Sequence, residues 1–165
     1  MIKKILIGLV SILLLVFGVI YFLAKPTLEE DGSYSPSSLA IKLGTVSVSD
    51  YEEVKYTKYD GDKSKILIIF TENKNLEMKN GKLFSTGNHP VEALVPMLHL
   101  KNAGFEFEIV TPTGKPVVFE MWAFPGKDAE MQAIYDEYKA SFEKPISLQR
   151  FIDSSFTESA SYAAV

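Results

Sequence analysis

Three different hydrophobic periods run along this chain, and each predicts a different kind of element. From residue 5 to residue 24 no charge occurs, and only Gly8, Ser11, Gly18 and Tyr21 interrupt large aliphatic and aromatic side chains. At about 1.5 Å per residue this run spans roughly 30 Å of hydrocarbon, which predicts a transmembrane helix. Ile66-Leu-Ile-Ile-Phe-Thr71 is short, continuous and largely β-branched, the pattern of a parallel strand covered on both faces. Val91, Leu94, Val95 and Leu98 follow Pro90 at helical spacing, and Gly104 ends that helix. Phe105, Phe107 and Ile109 then alternate with Glu106, Glu108 and Val110 in a second strand that stops at Pro112-Thr-Gly114. Met131, Ile134, Tyr135, Tyr138 and Phe142 line one side of an amphipathic helix ended by Pro145. Residues 117–122 are a further extended candidate, residues 148–151 begin another helix, and residues 161–165 open one more strand.

Strands alternating with helices are the grammar of an open parallel sheet covered by helices. Three such strands leave an apolar edge unpaired, a liability that complete folds avoid. Ahead of the sheet, residues 25–64 turn to Gly, Ser, Pro, Tyr and charge, with 31–38 the most linker-like part. Residues 39–48 and 51–59 suggest short strands or an ordered arm. The organisation expected is a tip at 1–4, an anchor at 5–24, a linker and arm at 25–64, and a domain at 65–165.

Charge sets the orientation expected of the anchor. Lys3 and Lys4 precede the apolar run, whereas Lys25 is followed by Glu29, Glu30 and Asp31. This bias places the N-terminus in the cytoplasm and the domain on the extracytoplasmic side of a single-pass protein, with the lipid bilayer as a partner through residues 5–24. A cleaved signal peptide is the alternative. Its apolar region is usually about 7–15 residues with small residues at the cut, and Phe22-Leu23-Ala24 is bulky there. A net charge of −4 with scattered lysines excludes nucleic acid as a partner. The chain has no cysteine, so disulfides, thiolate metal sites and lipid-modified cysteines are excluded.

Three motifs stand in order: Gly81-Lys-Leu-Phe-Ser-Thr-Gly-Asn-His-Pro-Val-Glu92, Ala103-Gly-Phe-Glu-Phe-Glu108 and Phe119-Glu-Met-Trp-Ala-Phe-Pro125. Together they resemble the ThiJ/PfpI superfamily, and within it the stress-inducible chaperone branch of glutathione-independent glyoxalases (glyoxalase III, also described as D-lactate dehydratase and protein deglycase). The resemblance covers about residues 65–165 and only the N-terminal half of the family's domain. It implies an α/β fold: an incomplete class I glutamine amidotransferase-like, flavodoxin-like parallel sheet with flanking helices, here preceded by one transmembrane helix.

The resemblance also implies a site. The family's nucleophile is a cysteine on a strand-to-helix turn, followed by a histidine, and both fall beyond the part that matches. Glu92 matches the glutamate that faces the cysteine. A carboxyl beside a thiolate stays protonated to avoid like-charge repulsion, and can relay a proton as a 2-oxoaldehyde rearranges to a 2-hydroxy acid. Read from spacing alone, Glu92 is a first-turn glutamate favoured by free backbone N–H groups. Relatives with a two-histidine, one-glutamate metal site match this chain at Lys101, Glu106 and Tyr138, where only the glutamate survives, so no metal and no cofactor are expected. His89 reads as a turn or cap residue and His99 as helix packing. Trp122, with Phe119 and Phe124, reads as core.

Three functions compete. The first is the N-terminal part of a membrane-anchored glyoxalase- or deglycase-like enzyme, truncated before the nucleophilic cysteine and inactive alone, its chemistry encoded downstream or lost by frameshift or early stop. A complementing C-terminal half is then a partner, and a small 2-oxoaldehyde is a substrate only when the enzyme is completed. The second is a non-catalytic, chaperone-like or subunit-binding module at the membrane, with self-association through the open sheet edge. The third, a hydrolase through Ser85, lacks the Gly-x-Ser-x-Gly elbow.

Overall fold

The computed structural model describes residues 2–62, 64–155 and 162–165. The helices are α1 (Ile2–Ala24), α2 (Ser38–Gly44), α3 (Pro90–Asn102), α4 (Ala129–Glu143) and α5 (Leu148–Ser155). The strands are β1 (Thr27–Leu28), β2 (Tyr34–Ser35), β3 (Lys65–Ile69), β4 (Asn75–Glu77), β5 (Leu83–Ser85), β6 (Glu106–Thr111), β7 (Ile146–Ser147) and β8 (Tyr162–Ala164). They divide into two compact units, residues 1–45 with 77–84, and residues 46–76 with 85–165.

In the first unit, Lys3–Ala24 of α1 is long and apolar enough to cross a bilayer and is exposed throughout. Residues 31–38, the most linker-like part of the sequence, carry local structure. β1 and β2 pair antiparallel around a turn in which Gly32 N–H donates to the Glu29 carbonyl at 3.0 Å and Glu29 N–H to the Ser33 carbonyl at 2.8 Å. The Ser and Asp side chains that read as linker form this turn, with Ser33 Oγ donating to Asp31 Oδ1 at 2.6 Å. Residues 38–44, where alternation suggests extended chain, are helical because Ser37 caps α2, its Oγ accepting from Ala40 N–H at 3.1 Å. A second turn follows β4, where Gly81 adopts φ 74° and Asn80 Oδ1 accepts from Lys82 N–H at 3.0 Å.

The second unit holds a parallel sheet of order β7-β6-β3-β8 among the described residues. β3 pairs along its whole length with Glu106–Val110 of β6, with Ile68 opposite Ile109. On the face reached by Ile68, Phe70, Phe107 and Ile109, α3 and α4 pack through Leu94, Met97, Leu98, Met131, Ile134 and Phe142, all buried. Each fully buried side chain of this size contributes about 1.5–3 kcal/mol, so this layer carries most of the unit's apolar burial. Gly104, at φ 95°, turns the chain out of α3 into β6.

The expected strand at residues 161–165 is β8, Tyr162–Ala164; Ser161 lies outside the described residues. β7 is too short to leave a sequence period. Residues 117–122 form no named strand. Phe119 makes an isolated bridge to Asn88, and Met121–Ala123 is a 3-10 turn. The arm at 46–59 has no regular structure yet is held at several points. Ser49 donates to Asp128 Oδ2 through N–H at 2.8 Å and Oγ at 2.5 Å, while Asp128 Oδ1 caps α4 by accepting from Met131 N–H at 3.0 Å. Tyr59 stacks on Phe105 at 4.8 Å.

Candidate functional site

The parallel sheet ends in loops beyond Phe70 and Thr111, and the segment leading into α3 crosses the first of these. Asn88 fixes that crossing. Its Oδ1 accepts from Thr71 N–H at 3.2 Å, and its Nδ2 donates to the Thr71 carbonyl at 3.1 Å and the Val118 carbonyl at 2.7 Å. Its backbone pairs with the same strip, N–H to the Val118 carbonyl at 2.8 Å and carbonyl to Glu120 N–H at 3.0 Å. Gly87 makes this approach possible, since a Cβ there would meet the Val118 carbonyl oxygen at 2.7 Å. Thr86 Oγ1 adds a bond to Glu120 Oε1 at 3.0 Å.

α3 therefore starts from a fixed point. His89 is its N-cap by backbone but makes no side-chain cap bond, Pro90 occupies the first turn, and Glu92 lies in that turn with its side chain exposed. Glu92 lines the rim of a groove of about 630 Å³ together with Ala93, Pro96 and Leu100 of α3, Ile69 of β3, and Val165. The groove follows the side of β3 that β8 covers only at Lys65 and Ile66, and Ile69 is 49% exposed there. Two buried nitrogens near this end of the sheet, His89 Nδ1 and Trp122 Nε1, have no hydrogen-bond partner among the described residues.

The remaining sequence candidates lie elsewhere. His99 stands between Tyr51, at 4.9 Å between ring centroids, and Tyr56, whose hydroxyl is 3.0 Å from His99 Nδ1. Lys101 is nine residues beyond Glu92, about 13 Å along the helix axis and on roughly its opposite side. It pairs with Glu137 of α4. Tyr138 packs against Phe107 at 5.4 Å, and burial raises its pKa, helped by the charges of Glu137 and Glu106. Lys101 is thus tied to Glu137, and Tyr138 lies within reach of the Glu137 and Glu106 charges. No group of three or more His, Cys, Asp or Glu side chains able to hold a metal occurs among the described residues. Phe119 and Phe124 pack into the core, against Phe142 at 5.0 Å and Tyr135 at 5.6 Å.

No family model matches the chain. Over 141 residues it is 40% identical to the protein/nucleic acid deglycase HchA of Pseudomonas aeruginosa (strain UCBPP-PA14), covering 85% of this chain and 48% of that protein. Over 138 residues it is 41% identical to the protein/nucleic acid deglycase HchA of Escherichia coli O1:K1 / APEC, covering 84% of this chain and 48% of that one. The chain belongs to the ThiJ/PfpI superfamily, in its HchA branch. It spans about half the length of the curated relatives it matches. The parallel sheet with flanking helices fits the flavodoxin-like fold.

Within this ThiJ/PfpI sequence, Asn88 is the residue that sequence reasoning passed over. It stands in the quoted motif, where Thr-Gly-Asn-His-Pro reads as a turn. An Asx side chain that replaces backbone partners is a known use of such a turn, but its two partners here lie 17 and 30 residues away.

Proposed function

We propose that this chain is one part of a membrane-anchored catalyst of the glyoxalase III or protein deglycase type, built on an incomplete class I glutamine amidotransferase-like sheet. α1 anchors it with the N-terminus in the cytoplasm, and Glu92 acts on a small 2-oxoaldehyde once a cysteine from polypeptide outside these 165 residues faces it. The observation that carries the reading is the position of Glu92 at the rim of an apolar groove along the open side of β3. Polypeptide seated in that groove would extend the sheet beside β3 and bring its own side chains next to the carboxyl.

The test mixes the full chain in nanodiscs with a separately expressed segment of an Escherichia coli HchA relative, the part that this chain does not match, cysteine included. The expected result is no methylglyoxal turnover by either piece, turnover by the mixture, and its loss in Glu92→Gln. Turnover by this chain alone, or a Glu92→Gln mixture as active as the parent, would overturn the proposal. The same exposed apolar groove favours a second reading, a non-catalytic module that binds client segments. Saturable suppression of client aggregation without any turnover in the mixture would select it.

A further inference from the structure

The first unit contains a cavity of about 380 Å³ at the foot of α1. Lys25, the residue directly after the last helical position, lines it, so the cavity opens where the apolar helix ends. Its walls are Pro26, Tyr34, Pro36 and Phe84, with Lys82 as a second cation. Lys82 is an exposed residue whose ammonium lies over an aromatic ring. The Met78–Lys82 turn closes through Met78 N–H to the Lys82 carbonyl at 2.8 Å, and Lys82 Nζ lies 4.9 Å from the centre of the Tyr34 ring. Met78 and Leu83, which also line it, are exposed apolar side chains of the same unit. An apolar chamber with two ammonium groups, continuous with a helix that suits hydrocarbon, has the chemistry of an amphiphile site at a membrane surface.

We propose that this cavity holds one anionic phospholipid, its phosphate between Lys25 and Lys82 and its glycerol region against Tyr34, Pro36 and Phe84. The inference rests on the reading of α1 as a membrane anchor. Free inorganic phosphate does not explain the apolar walls, and a neutral phospholipid leaves the two lysines without a net negative partner. The anchoring helix also keeps lipid at high effective concentration beside the cavity, so an individually weak site is filled.

The full chain is reconstituted into nanodiscs of mixed phosphatidylcholine and phosphatidylglycerol, released, and examined by native mass spectrometry for retained lipid. The expected result is one retained phosphatidylglycerol, enriched roughly 30-fold over the nanodisc composition, as two lysines near an anionic group at about 1 kcal/mol each imply. Lys82→Gln is expected to lower the enrichment to roughly fivefold, what Lys25 alone implies, and Lys79→Gln, an exposed lysine of the same turn outside the cavity, to leave it unchanged. Retained lipid that mirrors the nanodisc, a Lys82→Gln protein that keeps the full enrichment, or a Lys79→Gln protein that loses it equally overturns the inference. Resistance to alkaline extraction is measured on the same samples. A parent chain that washes off overturns the anchor reading and this one with it, whereas a retained chain without lipid preference overturns this one alone.

Discussion

Asn88 pairs with Thr71 through its side chain as if that side chain were backbone, accepting from Thr71 N–H at 3.2 Å and donating to the Thr71 carbonyl at 3.1 Å. The pair ties the end of β3 to the start of α3 and so sets where Glu92 stands. Asn88→Asp replaces a donor shared by two carbonyls with an acceptor, and is expected to cost about 2–4 kcal/mol. Urea unfolding measures this, and a variant within about 0.5 kcal/mol of the parent would show that the pairing contributes little.

Asp128 joins the arm to α4, and its ionisation is expected to limit stability in acid. Burial acts to raise its pKa, but the bonds accepted from the Ser49 hydroxyl and from the backbone N–H groups of Met131 and Ser49 outweigh it, leaving the value lowered. The folded pKa then lies below the unfolded value of about 3.9, so the contribution is complete above about pH 4 and fades as pH falls through the folded value. Asp128→Asn should flatten this acid limb in a series of urea midpoints against pH. Asp128→Ala should also lose about 1–3 kcal/mol at neutral pH through the lost cap and the stranded Ser49.

Tyr162 sets a limit on the alkaline side. Burial first, then its hydrogen bond to Glu108 and the Glu108 charge, push its pKa up to about 12. The unfolded value is about 10, so its contribution is complete below about pH 10 and disappears as pH rises through about 12. Spectrophotometric titration should show a late component, to which the raised Tyr51 and Tyr138 also contribute, that shrinks by one tyrosine in Tyr162→Phe, with a shallower alkaline limb in the melts. A variant whose titration curve overlays the parent's would contradict the assignment.

The open side of β3 is expected to drive self-association of the unpartnered chain. Ile69→Lys places a charge at the exposed position in the groove and should shift the protein toward monomer in detergent, read by light scattering on a sizing column. An unchanged mass distribution would rule out this edge as the contact.

The sequence periods located β3, α3, β6 and α4 because their apolar faces are set by burial against one another, and burial repeats with the backbone. They did not locate β7, whose two residues are too few to show a period, nor α2, whose start depends on the hydroxyl of Ser37. Glu92 was legible through its motif, but the groove was not. Its lining comes from β3, α3 and β8, brought together only by register and crossing. The Ser49–Asp128 bond, spanning 79 residues, leaves no local pattern in either segment.

Pro96 sits one turn beyond Glu92 inside α3, and proline has no N–H to donate. The carbonyl oxygen of Glu92 is the group an ordinary residue at 96 would have bonded, so the helix leaves it without its usual donor. The turn that carries the Glu92 carboxyl is therefore held by one backbone bond fewer than an ordinary helical turn, on the side of α3 where Glu92 and Pro96 both line the groove.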